Sequence, residues 1–541
     1  MYWYIFRSLK VKLGKPMPNL AREISKQISL PQSTLRKVNL AKKSLDARKR
    51  HQPFWLLQVE FALNSALKEP LPRGVSIAKH SVHEPSRPEN LIPHSPKTNP
   101  THVTVIGSGP AGLFTALALA EADQKVTLIE RGKPVETRMK DIGILRGKGV
   151  LDPESNVCFG EGGAGTYTDG KLYTRVKDPS LAWVMARLVD FGAPHNILTD
   201  AHPHLGTDKL VRVLKALRAH LIDRGVEFIF QDRMVQLLVH KNQAHGVILN
   251  SGRQIESDYV VLGIGHSARE TLEYLFGLGL EMEFKPFAVG VRAEHPQALI
   301  NQAQYGPFAD HPELGAAEYR LSYQFPDDAI GKRGVYSFCM CPGGFIVPTP
   351  TEPGKMALNG MSNANRSTPF ANSGIVVQIT ADDLQRQGYK THPLMGIQFQ
   401  RELEEQTFQA TETPYAAPAM RLTDFVESRE PKDLAPTHFR PASVPYPLHQ
   451  LMPNWIARPL QAAFKAFANQ IKGYLTEEAN LFAMETRTSS PVRIVRGKNM
   501  ESVSLPRLLP VGEGAGYAGG IVSAALDGIR AAERIIQAPT R

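Results

Sequence analysis

Two cysteines stand one residue apart in Cys339-Met-Cys341, inside the segment Tyr336–Gly344. On a strand, residues two apart face the same side, with α-carbons about 6.5–7 Å apart by strand rise. That is the upper edge of disulfide geometry, so a bond between them would be strained and easily reduced. Two chemistries follow: a thiol pair that exchanges electrons with a redox group, or a single thiolate that acts as a nucleophile. Two structural thiols lining a strand are the competing reading. Arg487, in Glu485-Thr-Arg-Thr-Ser-Ser-Pro491, suits contact with an anionic substrate or ligand, and equally a structural salt bridge. Lys171 ends a glycine-rich run and can set a positive charge beside a bound ring. The histidines show no metal-ligand spacing, so no metal is expected.

Such residues need a scaffold, and three glycine-rich segments define it. The β-branched run Val103–Ile106 ends in Gly107-Ser108-Gly109-Pro110-Ala111-Gly112. A helical pattern continues through Leu113, Leu117 and Leu119, and a second strand, Lys125–Ile129, stops on Glu130. This is the fingerprint of a dinucleotide-binding βαβ unit. Gly107 allows the tight turn, Gly109 lets backbone approach a pyrophosphate, and Gly112 lets helix and strand pack closely. The helix N-terminus offers N–H groups and a positive dipole end to the phosphates. Glu130 is placed to accept from ribose hydroxyls, with Arg131 beside it, and an acid there argues against a 2′-phosphate.

The second segment, Phe159–Lys171, carries five glycines in thirteen residues. Gly162, Gly163, Thr166, Gly170 and Lys171 are its candidate contacts, because such backbone can lie against a flat or anionic ligand. The third, Leu509–Ser523, is a strand ending in glycines that opens a helix from Ile521 to Ile536. Gly512, Glu513, Gly519, Gly520 and Ile521 are its candidates, at a second anion-binding helix N-terminus. Val235, opening a later strand, and Gly265 are assigned to the same site. Gly263-x-Gly265-x-x-Ala268 also permits a second nucleotide site, but no clean second βαβ unit with its acid follows. It reads better as a strand-end segment beside the first nucleotide. NAD domains need neither the second nor the third segment, and together these decide for FAD as the cofactor.

The order of these motifs resembles the FAD/NAD(P)-dependent oxidoreductase superfamily. More narrowly, it resembles the bacterial "FAD-dependent dehydrogenase" group with a small N-terminal domain. The resemblance rests on Gly107–Gly112 with Glu130, Asn156–Arg175, Val260–Arg269, Ser337–Gly344, Glu485–Pro491 and Pro510–Ser523. It covers nearly the whole chain, the N-terminal segment more weakly. It implies bound FAD and a redox role, and no particular substrate.

The expected fold is α/β: a Rossmann-type FAD-binding domain (101–284 and 476–541) with an inserted α+β substrate domain (285–475). A small basic β-α-β-β domain (1–68) precedes it, joined by a Pro-rich linker (69–100). The net charge of +11 is uneven: residues 1–100 hold 18 Lys+Arg against 6 Asp+Glu, and the remainder 45 against 46. The basic segment reads as a solvated face or as a site for an acidic partner such as RNA. Three cysteines, no secretory signal and no apolar run of membrane-spanning length lead to the expectation of a cytoplasmic protein. The expected function is a FAD-dependent oxidoreductase acting on a small-molecule or protein redox substrate. NAD(P)H would be a reductant without a dedicated domain. The rivals are a flavin-containing RNA-binding or regulatory protein and a FAD-dependent tRNA-modifying enzyme.

Overall fold

The computed structural model describes residues 1–48, 52–78, 91, 100–167, 169–327 and 330–538. Most of the expected linker, with Pro85, Pro88, Pro93 and Pro96, lies outside the described residues.

Among the described residues, the nucleotide module is built on a five-stranded parallel sheet. Its order is Leu508–Pro510, Tyr259–Leu262, His102–Ile106, Lys125–Glu130 and Glu227–Phe230. These strands are apolar on both sides because both faces are covered. Val103, Val105, Leu128 and Val261 pack with the helices Pro110–Ala120 and Ile521–Ile536. Ile106, Ile129, Val260 and Leu262 face Met234, Leu237 and Val247 of a three-stranded antiparallel sheet. The two helices touch at Gly528, where a Cβ would lie 2.1 Å from the Ala111 carbonyl oxygen.

Residues 132–149 contain the helix Val135–Lys148. Pro134 precedes it, Gly149 ends it in the left-handed region (φ 65°), and Arg146 and Lys148 suit its C-terminal dipole. Its buried face is Val135, Arg138, Ile142 and Leu145. A buried arginine in that row breaks the apolar periodicity.

The second module carries a seven-stranded sheet, ordered Ser322–Asp327, Gly331–Cys341, Phe370–Ile379, Phe287–Pro296, Asn480–Glu485, Ala417–Arg421 and Ser443–Pro445. The helix Asn454–Gln470 lays Ile456, Leu460, Ala463, Phe464 and Phe467 against it, one stripe at helical spacing. Asn480–Glu485 pairs with the long strand Phe287–Pro296, so this sheet reaches past the expected boundary at 475. Met282–Phe284 pairs with Val492–Ile494 where the chain crosses between modules.

The N-terminal β-α-β-β unit gains a fourth strand, Val75–Ala78, from within the stretch expected as linker. Its sheet order is Leu35–Asp46, Phe54–Leu63, Tyr2–Lys12, Val75–Ala78, with the helix Leu20–Ile28 on one face. The domain touches both larger modules. Lys43 exchanges backbone hydrogen bonds with Thr199 and Ala201. Gly14 N and Trp55 Nε1 donate to the Glu313 carboxylate at 2.9 and 2.8 Å.

Candidate functional site

Gly107 turns with φ 94°, and a Cβ there would lie 2.4 Å from the Gly263 carbonyl oxygen. At Gly112 a Cβ would lie 1.9 Å from the Gly107 carbonyl oxygen, so only glycine lets this helix sit on its strand. The result is a cavity of about 380 Å³ at the carboxyl ends of the parallel strands, where ligands bind in open α/β sheets. Both the Pro110–Ala120 and the Ile521–Ile536 helices begin at this cavity, after Gly109 and Gly520, and neither has a side-chain cap. Two uncapped N-termini in one cavity make a strongly anion-favouring wall. Added Cβ atoms at Gly265 and Gly519 would meet nothing within 4 Å, so these backbones face open space.

One end of the cavity is ordered by Glu130. Its carboxylate accepts from Ser108 N (2.9 Å), Ser108 Oγ (2.7 Å), Gly132 N (2.9 Å) and Gly160 N (3.0 Å). These four donors tie the first glycine turn to the second glycine segment. Glu130 also lines the cavity, so a ribose hydroxyl there would share a carboxylate already engaged. Arg131 lines the same end and pairs with Glu154 at 2.8 Å and with Glu270. Asp232, Arg233 and Met234 complete it, whereas Val235 itself is not among the lining residues.

The second glycine segment is held from behind by Arg138, which is fully buried. Its guanidinium donates to the carbonyls of Asn156, Val157, Glu161, Gly163 and Gly160 at 2.7, 2.7, 2.7, 3.0 and 3.2 Å. Gly163 faces the cavity, whereas Gly162, Thr166 and Gly170 shape the loop. A Cβ on Gly162 would meet Thr166 Oγ1 at 2.0 Å, and one on Gly170 would meet Gly206 N at 2.9 Å. Ser108 and Gly112 likewise act on the loop and do not line the cavity.

At the other end stand Lys171, Tyr173, Phe338, Cys339, Thr488 and Arg487. The strand Gly331–Cys341 is not regular here. Its pairing with Phe370–Ile379 shifts between Phe338 and Cys341, and Cys339 has φ 43°. The simple alternation expected for the two cysteines is therefore replaced by a bulge. Cys339 reaches the cavity, and Cys341 is fully buried behind it with its Sγ donating to the Cys339 carbonyl at 3.3 Å. Both thiols are free. Lys171 donates to the Met340 carbonyl and pairs with Asp169 at 3.3 Å.

Arg487 lines the cavity but is engaged in a salt bridge. Its Nε and Nη2 hold both oxygens of buried Glu404 at 3.0 and 2.8 Å, and its Nη1 donates to Thr351 Oγ1 at 2.7 Å. Arg269 holds the same carboxylate at 2.8 and 2.9 Å. Burial opposes ionisation of Glu404, but these two guanidinium charges overcome it and hold the carboxyl far below its usual range. His266, on the wall beside them, is pushed down to about 3 by burial and by the Arg487 and Arg269 charges, so its ring is neutral at pH 7. Glu513 is pushed up to about 7 by burial, against the pull of Lys285.

Comparison with known proteins gives this geometry its occupant. Residues 286–488 match the family described as FAD-dependent protein, C-terminal domain-like. Residues 102–139 match an FAD binding domain, and residues 7–62 a domain of unknown function. An uncharacterised protein of Clostridium beijerinckii is 38% identical over 539 residues, covering 98% of each chain. The chain belongs to this family of FAD-dependent proteins. FAD is its cofactor. The crystal structure of CtdE in complex with FAD is similar at 12% identity and a TM-score of 0.32, over 80% of this chain and 83% of that one. A geranylgeranyl bacteriochlorophyll reductase-like protein from Thermoplasma acidophilum is similar at 11% and 0.33, over 80% and 77%. Neither likeness bears on the activity.

The residues present fit FAD. A diphosphate needs N–H donors at uncapped helix starts, and Gly109, Ala111, Gly520 and Ile521 carry such N–H groups on the cavity wall. A planar ring needs flat, side-chain-free walls, and Gly163, Gly265 and Gly512 lie on the cavity surface. Sequence reasoning missed Arg138, His266 and Asp169. Asp169 is buried, accepts from Ser362 and pairs with Arg366 at 2.6 Å. The family resemblance at Val260–Arg269 spans His266, whereas nothing in the sequence marks Arg138. Among the described residues, no group of three or more His, Cys, Asp or Glu side chains is arranged for a metal, and no helix is long and apolar enough to cross a membrane.

Proposed function

We propose that the protein is a FAD-dependent oxidoreductase, with its adenosine end at Glu130, Arg131 and Asp232–Met234. The observation that carries this reading is the continuity of the cavity from Glu130 to Cys339, past both uncapped helix N-termini. Gly107–Ala111 would hold the diphosphate, and the loops ending at Lys171 and at Ile521 would hold the ring. Bound FAD supplies two-electron redox chemistry.

The chain's own residues do the rest. The Ile521–Ile536 helix start and Lys171 favour negative charge on that side of the cavity. His266 stays neutral, and the Arg487–Glu404–Arg269 cluster, two guanidinium groups on one carboxylate, leaves that wall with a net positive charge. The module 285–475 roofs the ring end and selects substrate. Tyr173, 44% exposed, stands at the mouth, its ring 5.0 Å from that of His202. Transfer at such a site rests on positioning and exclusion of water more than on an acid–base dyad.

The test is anaerobic mixing of the FAD-loaded protein with NADH, NADPH and a panel of dithiols, amines and alcohols, followed by flavin absorbance. Bleaching by one class within the mixing time supports the reading and names the donor. A protein that takes up no FAD, or whose flavin is reduced by none of these, refutes it.

A further inference from the structure

We propose that Cys339 and Cys341 form a redox-active dithiol that passes an electron pair to and from the bound FAD. The inference rests on the FAD placement above and adds a second electron store to it.

Placement is the first observation. Cys339 lies on the cavity wall at the ring end, between Phe338 and Lys171, with Cys341 directly behind it. The backbone is the second. Cys339 sits at φ 43°, which residues with a Cβ rarely adopt, in a bulge that interrupts an otherwise regular ladder. Such outliers persist where the surroundings over-determine them, and cluster at working sites. The third is charge. Arg292 is completely buried; its Nη2 donates to the Cys339 carbonyl at 2.7 Å and to Cys341 Sγ at 3.5 Å, while its Nη1 holds Glu485 at 2.8 Å. Lys171 is bonded to Met340, the residue between the thiols. Structural thiols sit in apolar surroundings that disfavour ionisation. Here two cations are aimed at the pair.

The consequence is an unequal sharing of protons. The Cys339 thiol is pulled down, first by its neighbour Cys341 and then by the Lys171 and Arg292 charges, against its own burial. Cys341 is pushed up by its interaction with the neighbouring Cys339 thiol and by burial. These opposite shifts favour a thiolate on Cys339 and a thiol on Cys341. Oxidation then forms the Cys339–Cys341 sulfur–sulfur bond and breaks the Cys341 S–H bond. Two electrons and that proton pass to FAD, and the negative charge leaves Cys339 with them. The reverse reaction restores thiolate and thiol. The bulge takes the two residues out of strand alternation, and the Val335–Phe338 pairing lies outside it.

The experiment uses the FAD-loaded protein, made anaerobic and prepared with its flavin either oxidised or photoreduced. Each sample is quenched with iodoacetamide and the peptide holding residues 339–341 is weighed. Both thiols should be alkylated when the flavin is reduced, and neither, with loss of two hydrogens, when it is oxidised. Cys341→Ser should keep its FAD and show a new long-wavelength absorbance from the Cys339 thiolate against the oxidised ring. Cys339→Ser should lack that band. Full alkylation of both wild-type thiols in both flavin states would overturn the proposal while leaving the oxidoreductase reading intact. A protein without flavin absorbance would overturn the reading beneath it, before any thiol is weighed.

Discussion

Replacing Arg138 by Met keeps the bulk of the stem and removes every guanidinium donor from the second glycine segment. Five carbonyls, those of Asn156, Val157, Gly160, Glu161 and Gly163, lose a partner. A buried carbonyl left unsatisfied costs about 1–3 kcal/mol, so a rigid loop would lose roughly 5–15 kcal/mol. Two effects reduce this. The variant no longer buries a cation, a relief of several kcal/mol, and a freed loop turns its carbonyls toward water. A net loss of about 3 kcal/mol remains as the expected outcome. Because residues 156–163 must be re-ordered to line the cavity, that loss falls on FAD binding and weakens it by roughly 100-fold. Titration of the apoprotein with FAD, followed by flavin fluorescence quenching, measures it directly. Arg138→Lys, with three donors and no planar fork, should fall between wild type and Arg138→Met. Unchanged affinity and unchanged melting in Arg138→Met would show that the loop holds itself and that this account is wrong.

Glu404→Gln leaves Arg269 and Arg487 buried without a full counter-charge and should cost about 3–5 kcal/mol, read as a lower denaturation midpoint at pH 7. Since the folded Glu404 carboxyl lies below its ordinary value of 4.5, it stabilises the wild type above that pH, and this is lost on acidification. The variant's deficit should therefore shrink as pH falls through about 4 and below. Glu294 has the opposite sign: burial pushes it up to about 7, with the Thr437 hydroxyl pulling the other way. Its contribution is intact below pH 4.5 and lost as pH rises through 7, so Glu294→Gln should melt like wild type at pH 4.5 and higher than wild type at pH 8. Gly112→Ala, with its Cβ 1.9 Å from a carbonyl oxygen, should not yield folded protein. Gly519→Ala, with nothing within 4 Å, should fold normally and bind FAD more weakly, as a titration of each soluble variant would show.

The nucleotide-binding turn was legible because Gly112 is dictated by contacts a few residues away, although Gly107 also answers to the distant Gly263. Gly107 and Gly112 answer to each other, to Gly263 and to Val105, and the strand–turn–helix pattern shows in order along the chain. The helix Ile521–Ile536 was legible for the same reason, with glycines before it and a clean apolar stripe within it. The helix Val135–Lys148 was not, because its inner face includes a guanidinium and periodicity counts only apolar residues. The engagement of Arg487 was not legible either. Its partner Glu404 is distant in sequence and reaches it only through the fold. Glu130 was legible as an acid at a strand end, but its four donors come from loops whose paths no local pattern determines. At Cys339 the spacing pointed to chemistry and the expected strand misplaced it, since a bulge has no residue signature of its own when the positive φ falls on cysteine.

The seam between the N-terminal strand Leu35–Asp46 and Thr199–Ala201 leads to the cavity wall. The next residue, His202, packs its ring at a tilt against that of Tyr173 on the cavity wall and pairs with Glu318 of the second module at 3.0 Å. With Trp55 and Gly14 anchored to Glu313, the first domain is tied to both larger modules at once. A few residues of backbone thus connect the first domain to Tyr173 on the cavity wall.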